Sequence, residues 1–269
     1  MSVSVTKDDI VRGLRDLGLR AGDVLHVHSS LSSFGHVEGG AESVIAALME
    51  VLTEEGTLML PSYGDFQGGE YGKVQPGAII FDVRSSPSKM GRIPDVFWRM
   101  PGVRRSIHPT HCQAAWGKRR DWLLAGHERC LQSCGCGTPL WKLTQCEGKI
   151  LLIGVDHRSN TFIHTLEDAG PAPSTTRSRF EPKVVDYDGN AVTVPTHPHL
   201  PGLARRFHIA DDFCRERGLQ TETTVGNARL RLINARGFWD AAQAELREDP
   251  LFFIDADYYR ARSAEQSAK

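Results

Sequence analysis

A histidine and a glutamate three residues apart are the first candidates for catalysis in this sequence. His164 and Glu167 lie in NTFIHTLEDA, residues 160–169, whose apolar residues predict an α-helix. Positions i and i+3 share a helix face, so Glu167 can accept a hydrogen bond from His164 and fix the orientation of the imidazole. The pair is suited to general-base catalysis. The structural alternative is a partly buried histidine satisfied by a carboxylate.

Other residues that ligate metals have spacings that match no common site. Cysteines lie at positions 112, 130, 134, 136, 146 and 214, and the run C-x3-C-x-C-x9-C is not a common zinc pattern. His26 and His28 alternate in a predicted strand and share a face, but no acid at a suitable spacing accompanies them. We therefore expect reduced cysteines and no bound metal.

Common phosphate-binding and nucleophile motifs are absent from the sequence. There is no G-x-x-x-x-G-K loop and no G-x-S-x-G nucleophile elbow. His127-Glu128 is not a zinc-protease motif because residue 131 is leucine, and GCGTPL lacks the last glycine of a dinucleotide fingerprint. The motifs offer a base but no activated nucleophile.

The composition is that of an ordinary globular protein. The 269 residues are 40% hydrophobic and 24% charged, with a formal net charge of -1, and no basic run predicts nucleic-acid binding. The N-terminus lacks the basic start and apolar core of a signal peptide, and no apolar stretch reaches the roughly 18 residues of a membrane span. We expect a cytoplasmic protein without nucleic-acid or membrane partners.

The first sixty or so residues predict elements that can position a site. An amphipathic helix is expected after Thr6, and VLHVHSS at 24–30 predicts a strand followed by a turn rich in serine and glycine. A second helix is expected from about Ala41, with Gly56 just past its end, and then a buried strand, TLMLPSY, at 57–63. Strand, helix and strand in this order predict a βαβ unit.

Two later segments extend this pattern. KILLIGVDH at 149–157 predicts the clearest buried strand and leads into the helix of His164. KVVDYDGNAVTV at 183–194 predicts a β-hairpin with its turn at Asp188-Gly189.

The remaining segments complete the expected architecture. Residues 203–218 predict an amphipathic helix ended by Gly218, and residues 64–88 have no sustained period, which favours a functional loop. We expect one α/β domain over residues 1–269, with a central mixed sheet flanked by helices and a β-hairpin in the C-terminal half.

Six short segments occur in a fixed order between residues 26 and 168. They are HSSLSSFG (28–35), GTLMLPSY (56–63), PSKMGRIPD (87–95), RRSIHPTHCQAAWG (104–117), GTPLWKL (137–143) and LLIGVDHRSNTFIHTLE (151–167). Together they resemble the aminoglycoside 3-N-acetyltransferase family, in which acetyl-CoA donates its acetyl group to the 3-amino group of a deoxystreptamine antibiotic. The sequence departs from the family at Asp95, at Cys112 and in the loop after LPSY.

A binding site for acetyl-CoA is expected at the serine-rich turn, whose hydroxyl and backbone N–H groups suit pantetheine amides and phosphates. The expected contacts are His28, Ser29, Ser30, Leu31, Ser32, Ser33, Phe34 and Gly35. Arg104, Arg105 and Ser106 suit the CoA phosphates, and the resemblance implies that His108, before Pro109, lines the CoA channel. The structural alternatives are a helix-capping loop, a solvated arginine pair and a turn histidine.

A polycationic acceptor requires carboxylates, and the resemblance implies that the loop after LPSY lines its site. The candidate acceptor-binding residues are Tyr63, Asp65, Glu70, Asp168, Asp212, Glu216 and Glu222. Each acid on its own is equally explained as a solvated surface residue. Asp156, shortly before the predicted helix, is a candidate to assist His164.

The sequence therefore predicts direct acetyl transfer from acetyl-CoA to an aminoglycoside amine, with His164 as base and Glu167 as its orienting partner. The alternatives are the same chemistry on another small amine, a cysteine- or metal-dependent hydrolase built on Cys112 or Cys134, and a non-catalytic CoA-binding or scaffold protein. A homodimer is left open.

Overall fold

The computed structural model describes residues 4–64, 74–75, 77–176 and 178–267. The strands are β1 (Ser4–Val5), β2 (Val24–Ser29), β3 (His36–Val37), β4 (Thr57–Pro61), β5 (Ile79–Asp82), β6 (Arg104–Arg105), β7 (Gln113–Gly117), β8 (Lys149–Ile153), β9 (Lys183–Val185), β10 (Ala191–Thr193), β11 (Gln220–Val225) and β12 (Ala228–Asn234). The helices are α1 (Lys7–Asp16), α2 (Gly40–Leu52), α3 (Arg92–Phe97), α4 (Arg120–Leu124), α5 (Pro139–Lys142), α6 (Phe162–Asp168), α7 (Ala210–Glu216), α8 (Ala235–Glu248) and α9 (Ala256–Ser267).

A mixed sheet is the centre of the fold, with its strands in the order β11-β12-β8-β2-β4-β7-β6. The three middle strands β8, β2 and β4 are parallel, and the strands outside them pair antiparallel. Because α2 connects the parallel strands β2 and β4, the predicted βαβ unit is confirmed. The α/β class, with a central mixed sheet flanked by helices, is confirmed as well.

Both faces of this sheet are covered, as the side chains of β8 illustrate. Leu151 and Ile153 pack in one core cluster with residues of α1 and α2, whereas Ile150 and Leu152 pack in a second cluster with residues of α6 and α8. A strand buried on both faces has no position for a polar side chain. This explains why the run ILLI is apolar throughout.

The link between β8 and α6 brings the helix of His164 to the serine-rich turn. Gly154 follows β8 with φ of +63°, and a Cβ at this position would clash with the side chain of Ser33. Glycine is therefore required both by the conformation and by the close approach. The backbone N–H of Thr161 donates to Nε2 of His28 at 3.1 Å, which ties the start of α6 to the end of β2.

A second, smaller sheet has the strand order β10-β9-β5. β9 and β10 pair antiparallel, and the carboxylate of Asp186 accepts hydrogen bonds from the backbone N–H groups of Asp188 and Asn190 in the connecting turn. β5 joins β9 in parallel. Phe81 and Val184 from this sheet pack in a small core cluster with Cys112.

The helix expected over 203–218 is shorter than the sequence predicted, which is a correction. The α-helix begins at Ala210, after a turn of 3-10 helix at Phe207–Ile209. The chain before it is held in another conformation, because Arg205 forms an antiparallel bridge with Ile254.

The strands expected at 24–30, 57–63 and 149–157 end earlier than predicted, at Ser29, Pro61 and Ile153. Residues at or just beyond these three strand ends, namely Ser29, Pro61 and Val155, line a cavity described below. In the described part of the chain, no helix is long and apolar enough to cross a membrane.

Candidate active site

A cavity of about 310 Å³ lies at the carboxyl ends of the parallel strands, where α/β sheets place their ligand sites. Its walls include four of the residues singled out from the sequence, namely His28, Ser29, Tyr63 and His164. Arg158, Asn160, Thr161 and Phe207 contribute further lining.

His164 and Glu167 form the contact that their spacing predicted. Nδ1 of His164 lies 3.0 Å from Oε2 of Glu167, one helical turn away on α6. The glutamate side chain is 0% exposed and the histidine side chain is 18% exposed. Since Nδ1 is occupied by the carboxylate, Nε2 is the nitrogen of His164 left to exchange a proton with a ligand.

Arg205 completes this pair and was missed from the sequence. Its Nε donates to the same Oε2 of Glu167 at 3.1 Å, and its side chain is 16% exposed. Burial raises the pKa of Glu167 to about 7, while Arg205 and His199 act in the opposite direction. The arginine therefore favours the ionised carboxylate, which is the form that stabilises a protonated His164.

A second histidine–carboxylate pair lies beside the first. Nε2 of His199 is 3.0 Å from each carboxylate oxygen of Asp168, the residue after Glu167. The rings of His199 and His164 stack with centroids 4.2 Å apart and planes at 23°. Nothing in the spacing of HPHLP around residue 199 indicated this contact, because only the fold brings that segment to α6.

The imidazoles of His164 and His111 are held neutral by their surroundings. Burial lowers the pKa of His164 well below its ordinary value, and the neighbouring His199 and Arg205 lower it further. The pKa of His111, whose ring lies 5.0 Å from that of His199, is lowered in the same way by burial and by His199. The resting His164 is therefore a neutral imidazole near pH 7, able to accept a proton.

Tyr63, a candidate acceptor-binding residue, lies on the wall of the cavity. Its ring packs 5.1 Å from the ring of His111. Burial raises the pKa of Tyr63 to about 12, so the phenol stays protonated. Asp65 and Glu70 lie outside the described residues.

Asp168 occupies a different position from the one expected of an acceptor-binding acid. Its side chain is 0% exposed, and its carboxylate accepts hydrogen bonds from the backbone N–H of Cys134 and the hydroxyl of Ser174 in addition to the contact with His199. A carboxylate enclosed by these partners holds segments of the protein together. It does not line the cavity described above.

The other candidate acids also have partners away from His164. Asp156 caps a short 3-10 turn and bonds both the backbone and the guanidinium of Arg158. On the exposed part of α7, Asp212 pairs with Arg215, and Glu216 is exposed as well. Glu222 pairs with Arg229 and Arg231 in a surface network. The structure therefore does not bring these acids to the cavity wall in the described part of the chain.

The serine-rich turn borders a second and larger cavity of about 870 Å³. Its walls include Ser29, Ser30, Leu31, Ser32 and Gly35, together with Gly39 and Gly40 at the amino end of α2. Ser29 belongs to both cavities, which therefore adjoin. The backbone N–H groups at the start of a 13-residue helix favour an anionic group in this cavity.

Three residues of the expected CoA-binding turn make contacts within the fold. Phe34 is 1% exposed and packs in the core, and the hydroxyl of Ser33 donates to the carbonyl of Ser30 at 2.6 Å. His28 accepts the hydrogen bond from Thr161 through Nε2, and burial lowers its pKa well below the ordinary value.

The structure places Arg104 and Ser106 apart from these two cavities. Both line a third cavity of about 370 Å³ with Tyr187, and Arg104 lies over the Tyr187 ring. The hydroxyl of Ser106 bonds Nδ1 of His127 at 2.8 Å. The physical reason is strand order, because β6 is the edge strand and is separated from β2 by β7 and β4.

Arg105, which also lines this third cavity, is buried, as are His108 and Pro109. The guanidinium of Arg105 donates to the carbonyl of Ser86 at 2.7 Å, and His108 stacks on His127 with centroids 4.3 Å apart. These contacts are made inside the protein.

The cysteines do not support a thiol nucleophile. All six lie within the described residues and are free thiols. Burial raises the pKa of Cys112 to about 12 and the pKa of Cys134 well above its ordinary value. Because the thiolate is the reactive form, both thiols are unreactive as they stand, which disfavours the cysteine hydrolase.

Comparison with known proteins gives a consistent result. The family described as aminoglycoside 3-N-acetyltransferase matches residues 26–247. The chain is 32% identical to aminoglycoside N(3)-acetyltransferase IV from Salmonella sp over 92% of its own length and 90% of the relative, and 29% identical to aminoglycoside N(3)-acetyltransferase VII from Streptomyces paromomycinus over 91% and 92%.

Solved structures agree with the sequence comparison. The apoenzyme of aminoglycoside acetyltransferase AAC(3)-IVa has a TM-score of 0.79 at 31% identity, covering 94% of this chain and 92% of that one. A mutant of the same enzyme in complex with a gentamicin has a TM-score of 0.81 at 30% identity, covering 96% and 95%. The chain therefore belongs to the aminoglycoside 3-N-acetyltransferase family.

Proposed function

We propose that His164 is the general base in the direct transfer of an acetyl group from acetyl-CoA to the 3-amino group of an aminoglycoside. The observation that carries this proposal is the 3.0 Å contact between Nδ1 of His164 and Oε2 of Glu167 at the wall of the cavity. The gentamicin complex of a similar enzyme supports an aminoglycoside as acceptor.

The chemistry follows from the state of the amine. An aminoglycoside amine is largely protonated near neutral pH and attacks a thioester only after losing a proton. The ammonium group releases this first proton to solvent. As the free amine forms its bond to the thioester carbonyl carbon, Nε2 of the neutral His164 accepts a second proton from the amine nitrogen. The C–S bond then breaks, and the departing CoA sulfur takes that proton from His164.

Glu167 and Arg205 act through His164 in this proposal. The carboxylate of Glu167 fixes the imidazole by accepting from Nδ1 and stabilises the imidazolium that forms during attack. Arg205, 3.1 Å from the same oxygen, keeps the carboxylate ionised against the cost of its burial.

The two adjoining cavities supply places for the two substrates. The larger cavity at the serine-rich turn suits the CoA pantetheine and phosphates, and the cavity at His164 suits the acceptor amine. Ser29 stands where they join, and its Oγ has no hydrogen-bond partner among the described residues. A hydroxyl there can donate to the thioester carbonyl as negative charge develops.

The acceptor carboxylates are proposed to come from Asp65 and Glu70. The described lining of the 310 Å³ cavity contains Tyr63 but no acidic side chain. Asp65 is two residues beyond Tyr63, a reach of about 7 Å at most along the chain.

We also propose that residues 1–269 act as one domain in the cytoplasm, with a homodimer as one state of assembly. The free thiols of all six cysteines support a reducing compartment.

Release of CoA thiol from acetyl-CoA tests the proposed function. The purified protein is given aminoglycosides that carry or lack a 3-amine, and the product is fragmented to locate the acetyl group. Thiol release is expected only with the 3-amine compounds. Equal release with compounds that lack this amine would contradict the proposal.

A further inference from the structure

A thiol, a carboxylate and an imidazole meet beside the catalytic pair and are not used by the proposed reaction. One ligand atom from each of Cys134, Asp168 and His199 lies within 4.8 Å of the other two. Cys134 is fully buried, the Asp168 side chain is 0% exposed, and the His199 side chain is 11% exposed. We propose that these three residues form a binding site for one Zn²⁺ ion.

The three side chains come from separate segments of the chain. Cys134 lies in the loop before α5, Asp168 is the last residue of α6, and His199 follows β10 by several residues. Spacing along the sequence therefore gave no metal pattern, and the cysteines were expected to bind none. The cluster is produced by the fold, which is why only the structure indicates it.

The type of ligand selects the metal. Thiolate and imidazole together favour Zn²⁺ over Mg²⁺ and Ca²⁺, which prefer oxygen ligands. Three protein ligands leave the fourth tetrahedral position for water, as in zinc sites with an open coordination position. His199 is the only ligand of the three with an exposed side-chain fraction, so the ion would enter along its edge.

The distances require a small adjustment only. Tetrahedral zinc with ordinary Zn–S and Zn–N lengths places its ligand atoms about 3.3–3.8 Å apart. Nε2 of His199 and the oxygens of Asp168 are 3.0 Å apart and must separate slightly. The sulfur of Cys134 lies within 4.8 Å of the other ligand atoms and must approach them by about 1 Å at most.

The protons balance when the ion binds. The thiol of Cys134 loses its proton to solvent, and the sulfur becomes a thiolate ligand. The proton on Nε2 of a neutral His199 is lost as the metal takes its place, while Nδ1 gains one, so the imidazole remains neutral. The positive charge of Zn²⁺ compensates the two anionic ligands inside the buried cluster.

Two contacts show what the ion would hold together. The backbone N–H of Cys134 already donates to Asp168 at 3.3 Å, and the His199 ring stacks on the ring of His164. A bound ion would fix the loop of His199 against the end of α6. The site stands on its own ligands and does not depend on His164 acting as a base.

Cobalt substitution tests the site directly. The full chain is stripped with a chelator and titrated with Co²⁺, and the thiolate-to-cobalt charge-transfer band is recorded together with the metal content after Zn²⁺ loading. One ion per chain is expected, with the band abolished by excess Zn²⁺. Absence of the band in the wild-type protein would overturn the proposal.

Matched variants locate the ligands. Cys134→Ser is expected to remove the band and to weaken Zn²⁺ binding by at least about a hundredfold, more than the loss of an outer hydrogen-bond partner. His199→Gln is expected to weaken Zn²⁺ binding similarly. Cys136→Ser changes an exposed cysteine two residues away and should keep the band.

Circular dichroism confirms that each variant is folded before its metal content is compared. If Cys134→Ser misfolds, Cys134→Ala and the His199→Gln variant provide the same comparison. Loss of the band in Cys136→Ser with retention in Cys134→Ser or Cys134→Ala would assign the thiolate elsewhere and overturn the proposal.

Discussion

The ring of His199 stacks on the ring of His164 with their centroids 4.2 Å apart. Each ring is bonded to a carboxylate, His164 to Glu167 and His199 to Asp168, so that two consecutive acids hold two stacked histidines. Burial and the positive charge of Arg205 lower the pKa of His164 well below its ordinary value. In the proposed reaction, His164 therefore readily gives the proton that it takes up to the leaving sulfur.

Replacing Glu167 with glutamine should slow catalysis without removing the base. The amide keeps the shape of the side chain but cannot stabilise an imidazolium, so kcat is expected to fall roughly 10–100-fold. Steady-state kinetics provides the measurement, and Glu245→Gln, an exposed change on α8, is the matched control. A wild-type kcat in Glu167→Gln would show that the carboxylate does not act on His164.

Replacing Arg205 with glutamine should move the pH dependence of turnover. Arg205 lowers the pKa of Glu167, which burial otherwise raises, so its loss lets the carboxyl stay protonated to higher pH. The acid limb of the kcat profile should therefore shift to higher pH, with activity recovering in alkaline buffer. Arg217→Gln on the protein surface is the control, and an unshifted profile in Arg205→Gln would refute this role.

Buried histidines should make the fold sensitive to acid. Burial lowers the pKa of both His26 and His127 to about 4. The contribution of each histidine to the free energy of unfolding is fully present above pH 6.5, the pKa of histidine in the unfolded chain. It is lost as the pH falls from 6.5 towards 4, by about 1.4 kcal/mol per pH unit for each histidine.

The raised pKa of Glu167 gives the opposite pH dependence. Its contribution to the free energy of unfolding is present below pH 4.5 and is lost as the pH rises to about 7. The two histidines outweigh this one carboxyl below pH 6.5, so the free energy of unfolding in urea should be lower at about pH 5.5 than at about pH 7. A higher value in the more acidic buffer would contradict this balance.

Ser29 should affect the acetyl donor more than the acceptor. Removing its hydroxyl in Ser29→Ala eliminates a donor worth about 1 kcal/mol or slightly more, so kcat/KM for acetyl-CoA should fall about tenfold. The KM for the aminoglycoside is expected to stay unchanged. Ser85→Ala, in an exposed turn, serves as the control. A selective rise in the aminoglycoside KM would place Ser29 in the other site.

Electrostatic attraction should supply most of the binding of the aminoglycoside. Exposed charge pairs are screened over about 10 Å at 0.1 M salt, so the aminoglycoside KM is expected to rise steeply with salt while the acetyl-CoA KM changes less. Asp65→Asn and Glu70→Gln should weaken the aminoglycoside selectively. If both substrates respond equally to either substitution, another segment supplies the carboxylates.

The sequence predicted those parts of the site that local spacing determines. His164 and Glu167 are one helical turn apart, so a helix alone brings them together, and the βαβ unit follows from the order of apolar segments. Arg205 and His199 reach the same helix only through tertiary folding. No local pattern marks them.

Strand order explains why some residues lie away from the positions that the sequence predicted for them. The succession of strands can be read along the chain but their neighbours in the sheet cannot, and β6 lies at the edge beyond β4 and β7. Arg104 and Ser106 were therefore expected at the CoA site although they border a separate cavity. The burial of Asp168 could not be predicted from the sequence, because an acidic residue at the end of a helix is as compatible with a structural role as with ligand binding.

The turnover of His164→Ala shows directly whether His164 acts as the general base. Loss of the base should lower kcat by about two to four orders of magnitude, while the Kd for acetyl-CoA, measured by calorimetry, stays close to the wild-type value. His208→Ala, an exposed histidine near the start of α7, is the matched control and should retain full turnover. A folded His164→Ala protein with near-normal kcat would contradict the account, because the pair with Glu167 would then be structural.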